Sequence, residues 1–97
     1  MPNYVALMNW TDQGVKNFTA SVERSEAAEA ALGQAGVTFE SLYWTIGVYD
    51  LVAVLEAPDE ETLTASLLNL ASQGNLRTTT LRAFTADEMK GIIAKAP

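Results

Sequence analysis

The sequence predicts an α+β fold in which two long helices pack on one face of a four-stranded antiparallel sheet. Three observations predict it: four segments are rich in strand-forming residues, two long segments carry apolar residues at helical spacing, and these segments alternate along the chain. Their order is β-α-β-β-α-β with a short helix at the end, which is typical of the ferredoxin-like arrangement. Because 97 residues leave room for one hydrophobic core, residues 1–97 are predicted to form a single domain.

Composition and charge narrow the classes of function. The chain is 48% apolar and 19% charged, as in ordered globular proteins, and its formal net charge of −6 disfavours nucleic acids and anionic membranes as partners. It contains no cysteine and no histidine, which argues against disulfides, zinc-type sites and imidazole acid/base chemistry. We therefore predict no metal and no cofactor. The N-terminus does not resemble a signal peptide and no apolar run approaches membrane-spanning length, so we expect a cytoplasmic protein.

The first half of the chain is predicted to form a strand, a short turn and a long helix. Tyr4–Trp10 is rich in strand formers, and Thr11 or Asp12 is placed to cap a helical turn after it. We expect Ser21 to be the N-cap of the long helix and Gly36 to end it. The predicted buried face of this helix consists of Arg24, Ala27, Ala28, Ala31, Leu32 and Ala35.

The middle of the chain is predicted to form a hairpin. Its strands are Thr38–Ile46 and Asp50–Glu56, joined through a turn that contains Gly47. Gly47 is best explained as a turn residue in a backbone conformation that other residues avoid. The functional alternative is that a ligand approaches its exposed backbone amide.

The second half repeats the helix and strand pattern. Asp59 with two following acids is a helix start, Gly74 is the matching end, and Leu76–Phe84 reads as the fourth strand. Thr85 and Glu88 have the spacing of a capping box at the start of the terminal helix. The predicted apolar stripes are Leu63, Leu67, Leu68, Leu70 and Ala71 on the first of these helices, and Met89, Ile92, Ile93 and Ala96 on the second.

The third strand indicates how the protein assembles. Leu51–Leu55 is apolar at every position, and Tyr4–Trp10 is nearly so, whereas a sheet covered on one face should alternate apolar and polar residues. An uncovered second face would expose a large apolar patch. We therefore predict a homodimer of the dimeric α+β barrel type, in which two sheets face each other across a central cavity. The alternative is that the terminal helix folds back over its own sheet.

Four blocks of the sequence resemble one known family. The blocks are Asn9–Gly14, Tyr43–Asp50, Glu56–Asp59 and Gly74–Thr85, and they look like the GYD domain family of small bacterial and archaeal proteins. The glycine, tyrosine and aspartate of its signature correspond to Gly47, Tyr49 and Asp50. The resemblance implies a ferredoxin-like subunit that assembles through its sheet, without implying a function. More weakly, Gly47–Val52 is similar to a hairpin in the amino-acid-sensing domains of the leucine-responsive regulator family, without their DNA-binding segment.

Candidate ligand contacts lie close to these blocks. The phenol of Tyr49 can donate a hydrogen bond and the Asp50 carboxylate can act as a base if it is desolvated, although Asp50 can equally satisfy backbone amides of the hairpin. Asp12 lies where a strand ends in a loop, which is a common place for ligand contacts, and local capping also explains it. The full set of candidates is Trp10, Asp12, Trp44, Tyr49, Asp50, Arg77 and Thr79.

Two arginines bracket the threonines of the fourth strand. Arg77 and Arg82 are five positions apart, so they point to opposite faces of the sheet and one of them faces the predicted dimer cavity. There it could hold a carboxylate or a phenolate, with Thr79 on the same face as Arg77. An ion pair with Glu56, Asp50 or a helix acid is the alternative.

Three functions are compatible with the sequence. The first is a homo-oligomer that binds a small apolar or aromatic metabolite between its sheets, where Trp10, Tyr43 and Trp44 could clamp a planar ring, although aromatic residues in strands are more often core or interface. The second is a cofactor-independent oxygenase or isomerase, which rests on fold analogy alone. The third is a structural or amino-acid-sensing regulatory oligomer.

Overall fold

The structure, a computed structural model, describes residues 1–97 and confirms the predicted element order. The strands are β1 (Asn3–Trp10), β2 (Thr38–Trp44), β3 (Leu51–Glu56) and β4 (Leu76–Ala83). The helices are α1 (Asp12–Lys16), α2 (Ser21–Gln34), α3 (Glu60–Ser72) and α4 (Ala86–Lys95), with a 3₁₀ turn at Phe18–Ala20 before α2. The strands form one antiparallel sheet in the order β2-β3-β1-β4, which is the ferredoxin-like topology. None of the helices combines the length and apolarity that a membrane crossing requires.

One face of the sheet packs against α2 and α3 and carries the hydrophobic core. Side chains alternate between the faces of a strand, so every second residue of β1 and β3 reaches this core. The core residues of the strands are Tyr4, Ala6, Met8, Leu51, Ala53 and Leu55, and they meet Leu32 of α2 and Leu63 of α3. Both long helices therefore lie on the same face of the sheet, as predicted.

The ends of the helices agree with the predicted signals. Asp59 caps α3 through its side chain, and Thr85 with Glu88 forms a complete capping box at α4. Gly36 and Gly74 follow α2 and α3 with φ values of 87° and 85°, a left-handed conformation that glycine adopts without strain.

The predicted faces of the helices need correction. Ser21 is not the N-cap of α2, because the chain enters the helix directly from the 3₁₀ turn and Ala20 takes the cap position. Ser21 is instead the first helical residue, and it is buried. The buried side of α2 is narrower than predicted, since Ala27, Ala31 and Ala35 are exposed. On α3, Leu68 is 67% exposed and does not widen the buried stripe.

The second face of the sheet, called the open face below, has no helix packed on it. Its apolar centre is formed by Val5, Leu7, Val52, Val54 and Leu81, with Tyr43, Arg77 and Thr79 around it. Leu81 is 49% exposed. Helix α4 contains no buried residue, and its apolar stripe also faces solvent at Met89, Ile92 and Ile93. The alternative in which the terminal helix folds back over the sheet is therefore wrong.

Candidate functional site

Three segments converge at one end of the sheet, called the hairpin end below. Because neighbouring strands are antiparallel, the last residues of β1 and β2 lie beside the first residues of β3 and β4. The segments are residues 8–14, 44–51 and 73–77, which include most of the sequence blocks that carried the family resemblance. The hairpin end therefore contains six of the seven candidate residues, and Thr79 lies further along β4.

Asp50 joins β3 to both of its neighbours at the hairpin end. Its carboxylate accepts a hydrogen bond from the backbone amide of Trp10 at 2.9 Å. Its own amide donates to the carbonyl of Met8 at 2.9 Å, and its carbonyl accepts from the amide of Thr45 at 2.8 Å. The carboxylate is therefore already hydrogen-bonded to the backbone. This favours the interpretation that Asp50 satisfies backbone amides over the interpretation that it is a free base.

The hairpin loop is pinned by side chains of its own and of β1. The Thr45 hydroxyl donates to the Tyr49 carbonyl, and the Asn9 side-chain amide donates to the Val48 carbonyl at 2.7 Å. Gly47 has φ of 127°, and a Cβ there would meet no atom within 4 Å, so backbone conformation rather than crowding requires the glycine. The turn interpretation of Gly47 is therefore supported.

This pinned loop exposes two apolar side chains. Ile46 is fully exposed and Val48 is 82% exposed, although both lie between residues that are held by hydrogen bonds. Exposed apolar side chains on a loop with a fixed shape lose little conformational entropy when they bind, which is what a docking element needs. Sequence reasoning missed both residues, because an apolar residue next to a strand looks like strand core.

The two tryptophans lie on the helix side of the sheet. Trp44 donates from Nε1 to the Oγ of Ser21 at 2.8 Å, and Trp10 lines a narrow cleft of about 30 Å³ between α2, α3 and the sheet. Such a cleft has room for one or two water molecules. Tyr43 projects from the open face, so the proposed clamp of Trp10, Tyr43 and Trp44 around one ring is wrong. The clamp fails because adjacent strand residues point in opposite directions.

Hydrogen bonds join the start of α1 to the α3–β4 loop, and this contact is called the clasp below. Thr11 caps α1 and donates its hydroxyl to the Gly74 carbonyl, while Gln13 donates to Asn75 and to the Gln73 carbonyl, each at 3.0 Å. A Cβ on Gly14 would collide with the Asn75 carbonyl. The candidate Asp12 lies at this end of the sheet but is exposed in the first turn of α1 and makes no side-chain hydrogen bond or ion pair with the other candidates.

The strand register decides which arginine faces the open side. Arg77 pairs with Asn9 and is exposed on the open face, where no carboxylate lies within 4.0 Å of it. Thr79 follows on the same face. Arg82 lies on the opposite face, over the rings of Tyr4 and Phe84 and 3.9 Å from a carboxylate oxygen of Glu88. Arg82 therefore pairs with a helix acid, whereas the ion pair expected as the alternative for the cavity-facing arginine is not made by Arg77.

A pair of carboxylates that sequence reasoning missed lies at the other end of the sheet. Glu40 occupies a bulge in β2 between Phe39 and Ser41, which brings it next to Glu56 of β3. A hydrogen bond with Glu56 raises the pKa of the Glu40 carboxyl, so the two groups share a proton more readily than separated acids do. The spacing of 16 residues carries no signal for this pair, because a bulge creates it.

The hairpin, the clasp and the fold agree with a known family, since the GYD domain family model matches residues 4–93. The chain belongs to the GYD domain family. The GYD signature is a structural lock at two of its three residues: Gly47 permits the turn and Asp50 binds the end of β1, whereas Tyr49 contributes only its backbone carbonyl, to Thr45.

This GYD domain is similar to proteins of Thermus thermophilus. The chain is 33% identical over 90 residues to the "Glutamine synthetase and cystathionine beta-lyase binding protein" of Thermus thermophilus, covering 92% of this chain and 95% of the relative. The crystal structure of TTHA0845 from the same organism superposes with a TM-score of 0.57 and 26% identity, over 89% of this chain and 96% of that one.

A more distant structure shows the fold alone. It is the protein TA0507, named provisionally as a chlorite dismutase, with a TM-score of 0.53 and 15% identity. The match covers 96% of this GYD chain and 48% of that chain, so the GYD domain spans about half of its length.

Proposed function

We propose that this protein is an enzyme-binding protein, which docks on a partner through its hairpin loop and assembles as a homodimer through its open face. The observation that carries the proposal is the pinned loop with Ile46 and Val48 exposed at its tip. The relative that is named for binding glutamine synthetase and cystathionine beta-lyase supports it. Both enzymes are the first partners to test.

The tip of the loop has the chemistry of an anchor. Burying one large aliphatic side chain contributes about 1.5 to 3 kcal/mol, and a loop that is already ordered loses little entropy on binding. Ile46 and Val48 together therefore supply enough apolar surface for the centre of a small interface. A partner would receive them in an apolar pocket.

Partner binding is tested by interferometry with purified glutamine synthetase and cystathionine beta-lyase. We expect Ile46→Ser with Val48→Ser to weaken binding at least about tenfold, since 1.4 kcal/mol corresponds to a factor of ten. Leu68→Ser is the matched control, because Leu68 is an exposed aliphatic residue on α3, away from the hairpin. Equal affinity of the two variants would refute the docking role of the loop.

The open face supports the homodimer. Four strands spaced about 4.8 Å apart and about seven residues long give a flat footprint of roughly 450 Å², and a second copy that also contacts the exposed side of α4 would add roughly 150 Å². Because side chains project from the sheet, the accessible surface is larger than this flat footprint and approaches the approximately 800 Å² per partner of a standard interface. A second copy of the same face supplies an equally apolar surface, and two-fold symmetry closes the assembly.

The oligomeric state is tested by light scattering at micromolar concentration. We expect a dimer for the wild-type protein and a monomer for Leu81→Asp, because a carboxylate on β4 would be buried in the interface. Leu68→Asp should leave the dimer intact. A monomeric wild-type protein would remove the facing-sheet arrangement.

A ligand between the facing sheets is a second candidate function. Arg77 is exposed on the open face without a carboxylate partner and lies beside Asn9, and this observation favours an anionic aromatic metabolite. A thermal-shift screen of aromatic acids should give a hit that Arg77→Ala abolishes; unchanged shifts would exclude the site. The oxygenase or isomerase and the amino-acid-sensing alternatives stay predictions from fold analogy and hairpin resemblance.

A further inference from the structure

A second cleft lies at the end of the sheet opposite the hairpin. It has a volume of about 540 Å³ and is lined by the prolines before β1 and α3, by the first residues of α3, and by Tyr4 and Arg82. Its rim carries three carboxylates, those of Asp59, Glu60 and Glu61, against the single guanidinium of Arg82. The cleft is therefore strongly acidic and has an aromatic floor.

The floor contains an unpaired hydroxyl. Tyr4 is 3% exposed, and its Oη has no hydrogen-bond partner. Buried hydroxyls are almost always paired, so this group needs an explanation. Arg82 lies 5.5 Å above the Tyr4 ring, but it donates to the carbonyls of Asn3 and Ala83 instead.

The rim carboxylates are available to different degrees. The Asp59 carboxylate is used, since it accepts from the Thr62 amide at 2.7 Å. Glu60 and Glu61 have neither a side-chain hydrogen bond nor an ion pair. No group of acids in the chain converges closely enough to hold a metal ion, so an inorganic cation is not the ligand that this rim fits.

An aliphatic ammonium group fits both features. It can donate to the phenol oxygen of Tyr4 and to separated carboxylates, while its methylene chain lies on the rings of Pro2 and Pro58. Burial raises the pKa of the Tyr4 phenol, and the charge of Glu60 raises it further while Arg82 lowers it, so the phenol is neutral at neutral pH.

From this cleft we infer that the protein binds a small aliphatic amine between Tyr4 and the start of α3. The contacts are an ammonium hydrogen bond to Tyr4 Oη and ion pairs with Glu60 and Glu61. The site is separate from the hairpin loop and from the open face, so it does not depend on partner binding or dimerisation.

Calorimetric titration of the full chain with 1,4-diaminobutane tests the inference. Binding should weaken at least tenfold in Tyr4→Phe and in Glu60→Gln. Tyr43→Phe and Glu26→Gln are matched controls, because both residues are exposed outside the cleft, and they should bind as the wild type does. No binding by the wild type, or equal weakening in all four variants, would overturn the inference.

Two further measurements separate the amine site from simpler explanations. Magnesium chloride at equal charge concentration should not compete with the diamine, and competition would reduce the site to a diffuse acidic surface. Without ligand, Tyr4→Phe should melt at or above the wild-type temperature, because it removes an unpaired hydroxyl. A lower melting temperature would show that the hydroxyl has a hydrogen-bond partner inside the protein. If Nα-acetyl-lysine amide binds and 1,4-diaminobutane does not, the cleft accepts a lysine side chain of another protein, and the free amine is excluded as its ligand.

Discussion

Removing the Asp50 carboxylate tests whether the GYD signature is a structural lock. In Asp50→Ala the backbone amide of Trp10 loses its acceptor, while the amide and carbonyl of residue 50 keep their bonds to Met8 and Thr45. A hydrogen bond to a charged group contributes about 1.5 to 3 kcal/mol. Since Asp50 is half-buried, we expect a loss near the lower end, about 1.5 to 2 kcal/mol in the free energy of unfolding.

The expected change in melting temperature follows from the size of the chain. Unfolding entropy of about 2.1 cal/mol/K per residue gives about 0.2 kcal/mol/K for this domain, so Asp50→Ala should melt about 7 to 10 °C lower. Asp50→Asn keeps an acceptor oxygen and should lose about half as much. Calorimetry measures both, and amide exchange by NMR should show faster exchange at Trp10 in the alanine variant.

Asp12→Ala is the matched control for this experiment. Asp12 is an exposed carboxylate at the start of α1 and makes no side-chain hydrogen bond, so its removal should change stability by no more than about 0.5 kcal/mol. If Asp50→Ala melts at the wild-type temperature, the Asp50 carboxylate does not stabilise the hairpin end and the structural-lock interpretation is wrong. An equal loss in Asp12→Ala and Asp50→Ala would assign the effect to net charge.

The remaining predictions concern the turn and the acids. Gly47→Ala should destabilise the protein by about 1 to 2 kcal/mol in urea denaturation because φ is 127°, whereas Gly33→Ala in the last turn of α2 should stabilise it by up to about 1 kcal/mol. A hydrogen bond with Glu56 raises the pKa of Glu40, so the stability that protonated Glu40 gives the folded protein is present below pH 4.5 and is lost as pH rises through the raised pKa. In a plot of melting temperature against pH, Glu40→Gln should flatten this part of the curve. The Thr62 amide lowers the pKa of Asp59, whose stabilisation is present above pH 3.8 and is lost as pH falls through the lowered pKa; Asp59→Asn should remove this loss in an acid titration followed by circular dichroism.

The fold was predictable because its signals are local. Apolar periodicity identified each strand and helix, and Asp59, Gly74 and the Thr85 capping box marked helix ends that short-range hydrogen bonds create. The apolar run of β3 also indicated correctly that the sheet has two apolar faces. These features depend on residues within a few positions of one another.

The site was less predictable because its contacts are distant in sequence. Strand parity showed that Arg77 and Arg82 point to opposite faces, but the pairing of Trp10 with Leu76 decides which face each takes. Trp44 was a candidate ligand contact, but its indole N–H instead donates a hydrogen bond to Ser21, 23 residues earlier. Long-range pairing of this kind has no signature in a single sequence.

The bulge at Glu40 also affects how the sheet can grow. Because β2 is an outer strand of the sheet, its free edge could pair with a strand of another molecule. The bulge interrupts the ladder there, and a charged carboxylate at the same point makes the edge a poor template for fibrils. Because the hydrogen bond with Glu56 raises the pKa of the Glu40 carboxyl, acid removes this charge more readily than that of a separated glutamate, so ordered aggregation should begin at the β2 edge in mildly acidic solution.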